Sequence, residues 1–228
     1  MADALIFDID GTLIDSVDLH ARAWQETFRH FGKEIAFDEI RSQIGKGGDQ
    51  LLPVFLSADE MRTKGKELEE FRSDLFKTRY LEQVKAFPGV RPLFEKVLAC
   101  GQKLALASSA KGDELKNYER IAQIEDLVQV ETSSHDAEKS KPHPDIFEAA
   151  LARLGDGIRR ENVVVIGDSP WDAEAAKKAG LATVCVRCGG FPESDLRKAG
   201  CIALYDGPED LLRNYDSSPL ARRRASAT

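Results

Sequence analysis

Six short, largely apolar runs set between amphipathic stretches constrain this chain most: Ala4–Phe7, Lys103–Ala107, Val128–Glu131, Val163–Ile166, Thr183–Val186 and Ile202–Leu204. Several are nearly continuous in Val, Ile, Leu and Ala instead of alternating with polar residues. Strands buried on both faces, as in a parallel sheet, read this way. Helices with legible ends separate the runs. Val90–Cys100 stops at Gly101, Pro144–Leu154 at Gly155 and Pro170–Ala179 at Gly180, while Pro208 follows Gly207 to open a last helix to about Asn214. Strand alternating with helix predicts right-handed crossovers and an α/β fold, a doubly wound, Rossmann-like parallel sheet.

The alternation stops between about Ser16 and Val84. Ser16–Phe31 is amphipathic. Ser57 and Glu60 have capping-box spacing and open a long helix expected to reach about Val84, with Leu68, Phe71, Leu75 and Leu81 at roughly helical spacing. A stretch of this length without a strand, placed directly after the first one, predicts an inserted helical domain, and the chain returns to the sheet at Phe87-Pro88-Gly89. At 228 residues, and roughly 150 residues per domain, one main domain plus an insertion is the expected size class. The expected organisation is an α/β core over 1–15 and 85–216, a helical domain over 16–84 and a flexible tail over 217–228.

Charge and cysteine usage narrow the function classes. Lys and Arg number 32 against 39 Asp and Glu, a formal charge of -7, so no general basic face is expected to bind nucleic acid. The basic run Arg222-Arg223-Arg224 lies in a Ser/Ala-rich terminus and reads as solvated chain. No run approaches the roughly 20 apolar residues of a membrane span, and Met1-Ala2-Asp3 lacks the basic start of a signal peptide. A cytoplasmic protein without a membrane partner is expected, as a monomer or a homodimer. Cys185 and Cys188 form a C-x-x-C that can supply half a zinc site, but a second pair is missing and no His lies nearby. With Cys100 and Cys201 they read as free thiols.

The chemistry gathers where strands end. In an open α/β sheet, ligands bind beyond the carboxyl ends of the strands. The first strand runs into Asp8-Ile9-Asp10-Gly11-Thr12 and the fourth into Gly167-Asp168-Ser169-Pro170-Trp171-Asp172. Carboxylates this close repel unless a cation intervenes, and Mg²⁺ prefers carboxylate and phosphate oxygens. A turn at Asp10-Gly11 and a helix cap at Asp168 or Ser169 are the plainer readings. Capping does not explain why two strands deliver carboxylates to one edge. Ser108 and Ser109 follow the second strand and can donate to a phosphate or cap a helix. Lys141, in a setting held rigid by Pro142 and Pro144, suits neutralisation of a phosphoryl group, although most lysines are solvated.

With these four motifs in order, the chain resembles the haloacid dehalogenase superfamily, in the helical-cap branch that includes phosphoglycolate phosphatase and β-phosphoglucomutase. The resemblance runs from Leu5 to about Asn214 and makes the insertion a cap. It implies a Mg²⁺-dependent phosphatase acting on a small phosphorylated metabolite. Asp8 would be the nucleophile that forms an aspartyl-phosphate, and Asp10 the general acid and base. Mg²⁺ would be held by Asp8, the Asp10 backbone carbonyl and Asp168, with Asp172 close. Ser108 and Lys141 would bind phosphoryl oxygens, and Ser109 extends that hydroxyl pair. Dehalogenases of the family lack the second acid, so Asp10 argues for phosphoryl chemistry. The competing enzyme is a phosphomutase, whose members carry Glu-Asp where this chain has Gly167-Asp168. The reading from another class is a scaffold on this fold. His20 and Trp24 sit where the mutases and related phosphatases carry a His and a Trp; His20 is a candidate for substrate contact or a packed hinge residue, and Trp24 reads as cap core. Lys46, in Gly45-Lys46-Gly47-Gly48-Asp49, is a candidate for a second anionic group of the substrate or else an exposed connector, with Arg72 and Lys77 as further cations on the cap.

Overall fold

The apolar runs form one parallel sheet whose two faces are both covered. The computed structural model describes residues 2–110 and 112–221. The chain begins with β1 (Ala4–Phe7) and β2 (Ile14–Asp15), then enters the insertion with α1 (Val17–His30), α2 (Phe37–Arg41), α3 (Gly48–Phe55) and α4 (Ala58–Leu75), and returns through β3 (Lys85–Ala86). There follow α5 (Val90–Ala99), β4 (Lys103–Ala107), α6 (Gly112–Ala122), β5 (Val130–Thr132), α7 (Asp145–Leu154) and β6 (Val163–Gly167). The last part is α8 (Pro170–Lys178), β7 (Ala182–Val186), α9 (Glu193–Ala199), β8 (Ala203–Tyr205) and α10 (Pro208–Arg213).

Among the described residues the sheet has six strands in the order β5-β4-β1-β6-β7-β8, all parallel. Side chains alternate across a strand, and here both sides are apolar. Leu5, Phe7, Leu104, Leu106, Val164 and Ile166 join one core cluster, packed with Leu93 and Phe94 of α5, Leu115 of α6 and Leu211 of α10. Ala4, Ile6, Ala105, Ala107, Val163 and Val165 join the other, against Ile146, Phe147 and Ala150 of α7 and Ala175 and Ala176 of α8. The insertion has its own cluster, including Trp24, Phe28, Ile40, Leu52 and Leu68. Its two connections to the sheet are tied together by the β2–β3 ribbon, which pairs Ile14 with Ala86 and Asp15 with Lys85.

Three boundaries differ from the expected ones by two residues or more. The long helix starts as anticipated: Ser57 Oγ accepts from the Glu60 backbone N–H, and Glu60 accepts from the Ser57 N–H at 2.8 Å. That backbone hydrogen bond leads the interactions that hold the Glu60 carboxyl at about 2. Yet regular α-helix ends at Leu75 and gives way to a wide turn, Phe76–Tyr80, that turns Phe76 and Tyr80 into the main core. The third apolar run pairs two residues late, at Val130–Thr132, because the Val128 N–H is taken by the Ile124 carbonyl in the turn after α6. The tail does not begin at 217. Leu220 is fully buried, and its carbonyl accepts from Gln102 Nε2 at 2.8 Å. Arg222-Arg223-Arg224 lie outside the described residues. No helix among the described residues is long and apolar enough to cross a membrane.

Candidate active site

Successive strands step from β1 through β4 to β5 on one side, then from β6 to β8 on the other. The crevice beside β1, where that direction reverses, is where ligands bind in open α/β sheets. The register puts Phe7 level with Leu106 and Ile166, so Asp8, Ser108 and Asp168 all leave the sheet at one edge. The Asp8 N–H donates to the Ile166 carbonyl at 2.8 Å, and Gly11, at φ +83°, turns the chain back towards the insertion.

Asp8, Asp168 and Asp172 form a buried cluster in which one oxygen from each lies within 4.8 Å of the others. Lys141, 1% exposed, pairs with Asp8 and with Asp172 Oδ1 at 2.8 Å. Asp172 Oδ2 is occupied by the Ser169 N–H and hydroxyl in the capping box of α8, in which Ser169 is the N-cap and Asp172 the third helical residue. Thr12 Oγ1 donates to Asp8 Oδ2 at 3.0 Å.

One lysine does not balance three buried carboxylates. Burial, with Asp172 next, pushes Asp8 up to about 7. Burial also drives Asp168 well above the usual range. Burial works against the Lys141 charge, but Asp172 and Asp8 outweigh it and raise its pKa.

Asp168 Oδ2 is buried and has no hydrogen-bonding partner among the described residues. Two glycines crowd that oxygen: a Cβ at Gly11 would come within 2.2 Å of it, and one at Gly189 within 1.8 Å. Only backbone fits there. An all-oxygen donor set with an orphaned carboxylate oxygen and excess negative charge fits a hard divalent cation such as Mg²⁺. Cys185 is buried, and Cys188 Sγ donates to the Gly11 carbonyl at 3.2 Å.

Asp10 belongs to a different network. Its Oδ1 accepts from Ser16 Oγ at 2.6 Å and from His20 Nε2 at 2.8 Å. Arg72 of α4 bonds His20 Nδ1, and guanidinium groups only donate, so Nδ1 accepts and Nε2 carries the hydrogen given to Asp10. Phe76 stacks on the imidazole at 4.0 Å between centroids. Burial works to raise the Asp10 carboxyl, but His20, Ser16 and the Arg72 charge hold it below its ordinary value. Two acids separated by one residue therefore sit in opposite electrostatic surroundings.

Asp8, Asp10, His20, Lys46, Arg72 and Ser109 line one cavity. Ser108 is fully buried behind it, where its Oγ accepts from the Ala110 N–H. Lys46 is committed locally: its ammonium donates to Gln43 Oε1 at 2.6 Å and lies 3.8 Å from the Trp171 ring centroid. Lys77 is exposed. Trp24 packs in the insertion core and also lines the cavity. Sequence reasoning missed Glu114, Tyr118 and Gly189. Tyr118 donates to Glu114 at 2.6 Å, and its oxygen lies 3.2 Å from His20 Nε2, a contact spanning 98 residues that no local pattern announces.

Comparison with known proteins agrees with this geometry. A family model described as haloacid dehalogenase-like hydrolase matches residues 5–186. The chain is 31% identical to "Phosphorylated carbohydrates phosphatase" of Thermotoga maritima over 92% of this chain and 96% of that protein. It is 30% identical to a phosphoglycolate phosphatase of Nitrosospira multiformis over 88% of this chain and 90% of the relative. A crystal structure of a hydrolase from Pseudomonas syringae superposes with a TM-score of 0.86 at 28% identity, covering 96% of this chain and 99% of the other. With the strand-end acids, the sheet order and the matched span in agreement, the chain belongs to the haloacid dehalogenase-like hydrolases.

Proposed function

We propose that this protein is a Mg²⁺-dependent phosphatase that hydrolyses a small phosphorylated metabolite through an aspartyl-phosphate. The observation that carries the reading is the pair Asp8 and Asp10, set on one cavity but held by separate networks. Asp8, Asp168 and Asp172 would hold Mg²⁺, joined by the Asp10 backbone carbonyl. When bound, the ion supplies positive charge against the developing phosphoryl charge. Lys141 and Ser108 bind and orient phosphoryl oxygens, an arrangement that suits a reaction governed by positioning and charge neutralisation. An Asp8 oxygen attacks phosphorus while the bond to the alcohol oxygen breaks, and Asp10 gives that oxygen a proton. Asp10 then takes a proton from water as the water oxygen attacks phosphorus, which frees Asp8 and releases phosphate.

We also read residues 16–84 as a cap that closes over the alcohol portion, because it contributes His20, Lys46 and Arg72 to the cavity wall. The phosphatase reading is preferred to the mutase reading because the fourth motif has Gly167 where the mutases carry Glu, and here Asp172 fills the adjoining space. A Cβ at Gly167 would meet Asp172 Cβ at 2.5 Å. The test is phosphate release from p-nitrophenyl phosphate with and without Mg²⁺, using wild type and Asp8→Asn. Release that needs both Mg²⁺ and Asp8 is the expected result. Turnover by a folded Asp8→Asn protein would overturn the mechanism.

A further inference from the structure

The insertion touches the core on the segments that follow β5, β6 and β7. The Asp49 carboxylate accepts from the Ser140 N–H at 3.1 Å, and the Lys46 ammonium lies over Trp171. The third contact falls on the loop after β7. Arg41, the last residue of α2, donates from Nη2 to the Gly189 carbonyl at 2.9 Å and from Nη1 to the Gly190 carbonyl at 3.3 Å. Its Nε donates to Asp18 of α1 at 2.7 Å, and its guanidinium carbon lies 5.9 Å from the Phe191 ring centroid. The exposed Asp18 adds little stability of its own but fixes the direction of the planar fork. One side chain thus fastens two helices of the insertion to one core loop.

That loop is also the wall behind the orphaned oxygen of Asp168. Gly189 is buried, and its missing side chain lets the backbone approach Asp168 Oδ2. Gly190, at φ +78°, does the same for the other partner, since a Cβ there would come within 2.4 Å of Arg41 Nη2. The paired glycines therefore seat a carboxylate of the acidic cluster and a cation of the insertion on one short turn. The carboxylates of the cluster repel one another, so the place of Asp168 depends on what stands against it. The Arg187 N–H donates to the Tyr205 carbonyl and Cys188 Sγ to the Gly11 carbonyl, which fastens the loop to the core. Arg41 supplies the hold that belongs to the insertion.

We propose that Arg41 is a positioning residue for the metal site: it braces the Gly189–Gly190 turn behind Asp168, so that docking of the insertion and binding of Mg²⁺ favour each other. This rests on the metal reading above and adds how the insertion acts on it. Linkage makes the effect reciprocal: the factor that docking adds to Mg²⁺ affinity is the factor that Mg²⁺ adds to docking. The experiment is calorimetric titration of the full-length protein with Mg²⁺ alone, in wild type, Arg41→Met and Arg41→Lys, with a thermal melt of each in chelator. Methionine keeps an unbranched stem and removes every donor; lysine keeps the charge but lacks the fork that spans both carbonyls and Asp18. Hydrogen exchange over residues 37–46 is followed with and without Mg²⁺. The Kd for Mg²⁺ should rise by about tenfold in Arg41→Met, the low end of what support behind metal ligands contributes, and by less in Arg41→Lys. Mg²⁺ should slow exchange over 37–46 in wild type and lose that effect in Arg41→Met. A lower melting temperature in chelator with an unchanged Kd marks a plain tie between insertion and core and overturns the proposal, as does wild-type exchange that Mg²⁺ leaves unchanged. Should Arg41→Met not fold, the Kd of Arg41→Lys decides in the same way. Absence of Mg²⁺ binding by wild type is a different result: it removes the metal reading, and the proposal with it.

Discussion

Mg²⁺ should raise the melting temperature of this protein more at about pH 8 than at about pH 5.5, because the ion competes with protons for buried carboxylates. Burial, reinforced by Asp172, lifts Asp8 from 3.8 to about 7, and burial also lifts Asp168. A carboxyl whose folded pKa exceeds its unfolded one binds more protons in the folded chain between the two values. Without the ion, stability therefore falls as pH rises from about 4 through about 7. Asp8 alone spans roughly three units at about 1.4 kcal/mol each, or about 4 kcal/mol once it is fully ionised. In a chain of this size 1 kcal/mol moves the midpoint by about 2–4 °C, so the loss amounts to roughly 8–16 °C. The assay is a thermal melt in chelator and in saturating Mg²⁺ at the two pH values, repeated with Asp168→Asn. The gain on adding Mg²⁺ should grow with pH in wild type and shrink in the variant. A wild-type gain that is equal or smaller at the higher pH would refute the electrostatic account of the cluster.

Two substitutions test the neighbouring parts separately. Gly189→Ala places a Cβ 1.8 Å from Asp168 Oδ2 and must displace that carboxylate; the Mg²⁺ concentration for half-maximal activity should rise by about tenfold or more, as for other losses of support behind metal ligands, and an unchanged value would show that Asp168 is not a ligand. Asp10→Asn removes the proton donor, so its rate loss should be about tenfold or more larger for an alkyl phosphate than for p-nitrophenyl phosphate, whose leaving group needs little protonation; equal losses would make Asp10 a positioning residue.

The part of the site built at strand ends was legible because a parallel sheet brings distant sequence to one edge. Asp8, Ser108 and Asp168 each follow a buried apolar run, and the level register of β1, β4 and β6 does the rest. The strands themselves were legible because both faces are covered, which leaves Val163–Gly167 without an exposed position. What depends on the insertion was not readable. Lys46 was recognisable as a loop lysine, but its partner Trp171 lies on α8, and the docking of loop on core that joins them is tertiary. Glu114 and Tyr118 lie on α6, which lacks the closing Gly that made other helix ends legible, and nothing local marks the His20 contact.

The opposite surroundings of Asp8 and Asp10 bear on how the site works. Pairs of acids with divergent environments are a mark of divided catalytic roles. Here the protein alone sets them in the inconvenient sense: burial favours a protonated Asp8, while His20, Ser16 and Arg72 favour an ionised Asp10. A nucleophile must be ionised and a leaving-group acid protonated. Positive charge beside Asp8 and Asp168 corrects the first. The second calls for weakening the hold of His20 and Arg72 on Asp10, and both residues sit on helices of the insertion. The same helices supply His20, Trp24 and Arg72 to the wall of the cavity beside Asp8. In the proposed reaction, recognition of the substrate and the proton state of Asp10 would run through shared side chains, so a change at Arg72 is expected to alter both substrate preference and the pH profile.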